Sequence, residues 1–178
     1  ALAQRNREQA HWHADETRWM VFATVEGKAG HRWTLWVFHS EEAVAFVLEL
    51  SQGLYGVKFT ERKVPAWHED VRYFDVTDAK SGAYVSSFYL DLYPREGKYN
   101  HAAAFPVRGV STLAKRTPQS VLVTNFNRQG LDHNEMETLL HEFGHVLHGI
   151  LSRTDYNSHA GTSTRRDFVE APSQMFEE

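Results

Sequence analysis

Leu139-Leu140-His141-Glu142-Phe143-Gly144-His145-Val146-Leu147-His148 is the stretch on which the reading of this chain turns. Residues four apart share a face of a helix, so His141 and His145 present two imidazoles to one point, where they can grip a single metal ion. Glu142 stands between them. It can take the proton of a water held at an open coordination position, the general-base role in metal-assisted hydrolysis.

The flanking residues specify the helix. Asp132 is its expected N-cap and Glu135 the capping-box partner three residues on, so the helix starts just after Gly130. Met136, Leu139, Leu140, Phe143, Leu147, Ile150 and Leu151 recur at helical spacing and predict an apolar stripe buried against another layer. Gly149 and Ser152 mark its weakening end.

Histidines at this spacing also occur on wet helix faces, so a third ligand has to decide between the two readings. His148 is seven residues and about 10 Å of rise from His141, too far for both to hold one ion. It reads as a packing residue or as a neighbour that steadies a ligand. Glu170 fits better. Asp167-Phe168-Val169-Glu170 looks like the start of a second helix, which can fold back and present a carboxylate to the two imidazoles while leaving a fourth position for water. Pro172 should kink or shift the first turn of that helix, and so help to aim Glu170.

Bulk properties are ordinary. A chain of 178 residues, 42% hydrophobic and 13% aromatic, is long enough for one domain with a real core. The net charge of −4 and the scattered Lys and Arg argue against a nucleic-acid partner. With no cysteine there is neither a disulfide framework nor a thiolate site, which suits a reducing, cytoplasmic setting and leaves metal binding to His and carboxylates. No apolar run is long enough to cross a bilayer, and no membrane partner is expected.

Residues 1–42 have no clean period; a polar helix over Ala1 to Glu16 and a short strand over Trp33 to Phe38 are the expectations. His11, His13, His31 and His39 there lack ligand spacing and read as surface or packing residues. Glu41 to Gly53 is an expected core helix capped by Ser40, with Ala43, Val44, Phe46, Val47, Leu48 and Leu50 as its apolar set. Val57 to Phe59 predicts a short strand, and Pro65 with Trp67 a loop.

Val71 to Val76 and Ala83 to Tyr93, around the turn Asp78-Ala79-Lys80-Ser81-Gly82, predict a hairpin with Phe88, Leu90 and Leu92 in the core. Tyr89, Asp91 and Tyr93 should then face a cleft or water. Arg95 to His101 is either a solvated turn or a loop beside the functional cleft, with Arg95 and Lys98 as the candidates; His101 is not read as a ligand. Leu122 to Phe126 predicts a strand and Asn127 to Gly130 the turn into the histidine helix. The polar loop from Ser152 to Arg166, with Gly161 and Thr162 at its centre, can adjust around a ligand, and His159 in it reads as a loop residue. Glu137, one turn before His141, either accepts the second ring N–H of a ligand imidazole or is an exposed helix glutamate.

Three stretches in one order carry a family resemblance: Phe88-Tyr89-Leu90-Asp91-Leu92-Tyr93-Pro94-Arg95-Glu96-Gly97-Lys98, then Glu137 to His148, then Gly161-Thr162 with Arg166-Asp167-Phe168-Val169-Glu170-Ala171-Pro172-Ser173-Gln174. Residues 43–178 resemble the catalytic segment of the zinc metallopeptidases that include thimet oligopeptidase, oligopeptidase A and dipeptidyl carboxypeptidase. Residues 1–42 do not carry the resemblance.

It implies one Zn2+ per chain, with His141, His145 and Glu170 as ligands and Glu142 as the base toward the zinc-bound water. It implies hydrolysis of short peptides, a sheet edge that pairs with the peptide backbone as in zincins, and a cleft near Arg95, Lys98, Gly161 and Thr162. The family enzymes are several times longer and use downstream His and Tyr residues, so the resemblance also implies a partial domain. The expected fold is α+β, mainly helical: a partial zincin-type catalytic domain with a small sheet beside the histidine helix. The alternative function is a truncated metal-binding fragment without turnover of its own.

Overall fold

The structure, a computed structural model, describes the backbone of residues 15–25, 28–37 and 39–177 and side chains from 39 to 177. The helix expected near the N-terminus, apart from residues 15 and 16, and the side chains of His11, His13 and His31 lie outside what is described. Residues 15 and 16 belong to a strand. β1 (Asp15–Val25) and β2 (Lys28–Val37) pair as an antiparallel two-stranded sheet, the second covering most of the strand expected at Trp33 to Phe38.

Next come α1 (Ser40–Tyr55), β3 (Val57–Arg62), β4 (Arg72–Asp78), β5 (Tyr84–Asp91), β6 (Ala103–Arg108), β7 (Gln119–Val123), α2 (His133–Ile150), α3 (Arg166–Val169) and α4 (Ala171–Glu177). The five later strands form one mixed sheet in the order β3-β4-β5-β7-β6, in which β5 and β7 run parallel and the other neighbours antiparallel. The α+β class holds. The expectation of a mainly helical chain does not, because seven strands stand beside four α-helices among the described residues.

α2 lies across the sheet, against β5, β6 and β7. Phe88 of β5 and Phe143 of α2 are fully buried with ring centroids 5.5 Å apart, and Phe59 of β3 meets Phe88 edge-on at 5.2 Å. Such edge-to-face contacts add about 0.5–1.5 kcal/mol beyond the area they bury. Leu139, Val146, Leu147 and Ile150 extend the buried stripe, with Met136, Leu140 and Leu151 partly buried at its margins. The face opposite Phe143 is left for the histidines.

The start of the histidine helix follows from local chemistry. Asp132 accepts the backbone N–H of Glu135 at 2.8 Å, and Glu135 accepts that of Asp132 at 3.0 Å, the reciprocal capping box expected from sequence. α1 departs from expectation at both ends. Ser40 is inside the helix and buried, and its hydroxyl donates to the Arg128 carbonyl at 2.7 Å, tying α1 to the turn before α2 instead of capping its own helix. The helix runs past Gly53 to Tyr55, because Gly56 at φ 64° takes the left-handed closing position. Phe46, expected in the core, is exposed on the outer face.

The hairpin of β4 and β5 forms as predicted, but β6 is a strand that sequence reasoning did not see, and β7 starts three residues earlier than expected. Pro106 inside Ala103–Arg108 removes a ladder donor and disguises the strand; it is tolerated because β6 is at the sheet edge, with a register shift between Pro106 and Arg108. The second helix is broken in two: α3 ends at Val169 and α4 begins at Ala171, which puts Pro172 in a first turn, where its missing N–H leaves no helical bond unmade. No described helix is long and apolar enough to cross a membrane.

Candidate metal centre

The break between α3 and α4 places Glu170 over the histidine face of α2. Its Oε2 lies 3.0 Å from His145 Nε2 and 3.4 Å from His141 Nε2. One donor atom from each of the three residues lies within 4.8 Å of the other two. Ligands at zinc–nitrogen and zinc–oxygen distances near 2.0–2.2 Å in a tetrahedron stand about 3.3 Å from one another, which the two separations from Glu170 match. Ser173 donates to the Glu170 carbonyl at 2.9 Å and to its Oε2 at 3.2 Å, which steadies the carboxylate.

Close packing makes the approach possible. A Cβ built on Gly144 would stand 2.7 Å from Ser173 Cα and 3.1 Å from the Pro172 carbonyl oxygen, so only glycine lets α4 sit this near to α2. Glu142 is partly buried and forms no hydrogen bond with any described residue.

The remaining candidates are distributed unevenly. His148 is outside the ligand trio and packs edge-on against Phe168 at 6.1 Å; burial, and then the charge of His145, pull its pKa below the usual histidine value. Glu137 is exposed and bonded to neither imidazole; His141 Nδ1 instead meets Glu177 Oε2 at 2.6 Å. Sequence reasoning missed Glu177. The available signal was its spacing of seven residues from Glu170, two helical turns along one face. His145 Nδ1 and His148 Nδ1 are buried with no hydrogen-bond partner among the described residues.

Gly161 and Thr162 line a crevice with His145, Gly149 and the β6 residues Ala104 and Phe105, so the loop expected near the cleft does reach the ligand cluster. Gly161 sits at φ 51°, a conformation suited to glycine, and its N–H donates to Ser152 Oγ at 2.8 Å. His101 and His159 are exposed and absent from the trio.

Arg95 and Lys98 are held by the Asp91 segment. Arg95 grips the Asp91 carboxylate with two hydrogen bonds of 2.6 and 2.8 Å, and Trp67 adds a third at 2.8 Å. The Lys98 ammonium, only 3% exposed, donates to the carbonyls of Asp91, Tyr93 and Thr124 and faces the Asp91 carboxylate at 2.9 Å. All its donors are spent on closing the end of β5 against the chain beyond β7. Asp91, expected to face a cleft or water, is buried. Burial pushes its carboxyl up, but the hydrogen bonds from Arg95, Lys98 and Trp67 more than reverse this and hold it at about 2. A larger hollow of about 490 Å³, lined in part by Tyr84, Val110, Lys115 and Arg153, holds none of the ligand trio.

Two imidazoles and a carboxylate that converge in this way form a donor set of the kind that holds a divalent metal in hydrolytic proteins. The chain belongs to Peptidase family M3, whose model matches residues 35–178. It is 41% identical over 153 residues to a thimet-like oligopeptidase of Dictyostelium discoideum, 36% over 157 residues to saccharolysin of Saccharomyces cerevisiae, and 38% over 151 residues to oligopeptidase A of Escherichia coli. Each of these matches takes in 79% of this chain and 22% of the relative. The chain thus spans about a fifth of the length of these curated relatives, and the resemblance read from three separate stretches leads to the family found.

Proposed function

We propose that this chain carries the zinc centre of a zincin-type oligopeptidase that hydrolyses peptide bonds in short peptides. The observation that carries the reading is the convergence of His141 Nε2, His145 Nε2 and Glu170 Oε2 on one point, with Glu142 next to His141 on the same helix. Bound there, a zinc ion would supply Lewis-acid polarisation of the scissile carbonyl and lower the pKa of a water molecule. Glu142 takes the proton of the attacking water and returns it to the leaving amine. β6, the sheet edge lining the crevice with His145, offers backbone groups left unpaired among the described residues to an extended peptide, a mode that tolerates many side chains. The family and the peptidase names of its relatives support the reaction class.

A second reading is a metal-binding segment without turnover of its own, favoured by the share of its relatives that the chain spans. Metal analysis and peptide turnover of the purified chain, beside Glu170→Ala and Glu142→Gln, separate the two. About one zinc per wild-type chain, lost in Glu170→Ala, supports the ligand set. Turnover abolished in Glu142→Gln with zinc retained supports the base; retained turnover overturns it. Zinc without wild-type turnover favours the second reading, and a wild type that takes up no zinc overturns the metal centre.

A further inference from the structure

Glu177 Oε2 stands 2.6 Å from His141 Nδ1, on the opposite side of the ring from the Nε2 that faces Glu170. A neutral imidazole has one N–H and one lone pair. Only the ring with its proton on Nδ1 can donate to Glu177 and keep the Nε2 lone pair for a metal ion held together with Glu170. We propose that Glu177 is a positioning residue that holds His141 in this tautomer and orientation, so that Nε2 is kept ready as a donor. The proposal rests on the metal-site reading above, and its test distinguishes the two.

The contact is built into the fold. Glu177 is on the same short helix as Ser173 and Phe176, both buried, and that helix is seated on Gly144. Glu170 and Glu177 are therefore delivered by one segment: one carboxylate to the ligand side of the rings, the other to the back of His141. The Glu177 side chain is 23% exposed, shielded enough for a charge-assisted bond to outlast competition from water. His145 has no such partner: its Nδ1 is buried without one among the described residues.

The experiment uses the chain labelled with 15N histidine, metal-free and above the usual histidine titration range, where two-bond 1H–15N spectra report the tautomer of each ring. Wild type is expected to show His141 as the Nδ1–H form, and Glu177→Ala to move it toward the Nε2–H form that free imidazole favours. Glu177→Gln, which keeps an acceptor oxygen, is expected to retain the wild-type tautomer, a rescue that a packing role would not predict. Competition against a chelator should show zinc affinity falling about 10- to 100-fold in Glu177→Ala, and unchanged in Glu137→Ala. Circular dichroism of each metal-free variant checks that the fold is intact. An unaltered His141 tautomer in a folded Glu177→Ala chain overturns the proposal, as does an equal loss of affinity in Glu137→Ala. A wild type that takes up no zinc while its tautomer still depends on Glu177 sinks the metal reading and supports the positioning role.

Discussion

Gly144 and Ser173 pack backbone to backbone: a single methyl group on Gly144 would come within 2.7 Å of Ser173 Cα. The distance between the histidine helix and the segment that delivers Glu170 and Glu177 is therefore set by a glycine inside the motif itself. Gly144→Ala must push α4 outward, because the obstacle is main chain rather than a flexible side chain. Overpacking of this kind costs about 1–3 kcal/mol. Urea denaturation should show that loss together with weaker zinc retention, since Glu170 is three residues before Ser173; a variant as stable and as zinc-replete as wild type would refute the link.

Zinc should stabilise the fold through the same contact. At a hundredfold excess over its dissociation constant, a ligand bound only by the folded state adds about 2.7 kcal/mol. In a chain of this size that is on the order of 5–10 °C in melting temperature. Calorimetry should show the increment in wild type, its removal by chelator, and its absence in Glu170→Ala; an equal rise in that variant would point to binding elsewhere.

Asp91 should dominate part of the acid response. Its folded-state carboxyl is held at about 2 against an ordinary 3.8, so the stabilisation is present above 3.8 and is lost as pH falls through about 2. Asp91→Asn should flatten the stability profile across that window. It should also cost about 3–5 kcal/mol at neutral pH, because Arg95 and the buried Lys98 lose their anion. Urea titrations at a series of pH values check both; a neutral-pH loss below about 1 kcal/mol would mean that the carbonyls around Lys98 suffice.

The capping box makes a milder prediction. Asp132→Ala removes the acceptor of the Glu135 N–H, and such changes cost about 0.5–2 kcal/mol. The loss should be read in chemical denaturation, with zinc content unchanged, since the cap lies more than two turns before His141. A variant that lost its zinc would show that the first turn and the ligands are coupled.

Legibility from sequence followed the range of the interactions. The cap at Asp132, the apolar stripe of α2 and the hairpin of β4 and β5 depend on neighbours within a few residues, and each was readable. Ser40 was misassigned because its partner, the Arg128 carbonyl, is 88 positions away. β6 was missed because Pro106 is acceptable only on a sheet edge, and edge position is a property of the assembled sheet. For Arg95 and Lys98 a solvated turn and a cleft loop stayed open together, because a charge on a loop carries no mark of its partner.

The sequence by itself determined that His141 and His145 share a helix face with Glu142 between them, because helical periodicity is a local rule, and it marked Glu170 as the candidate third donor. Only the tertiary structure decided that Gly144 brings α4 into contact, that Glu177 and not Glu137 backs His141, and that Lys98 is spent on Asp91. Those outcomes depend on how closely separate segments approach, and that distance is set by packing across the whole core.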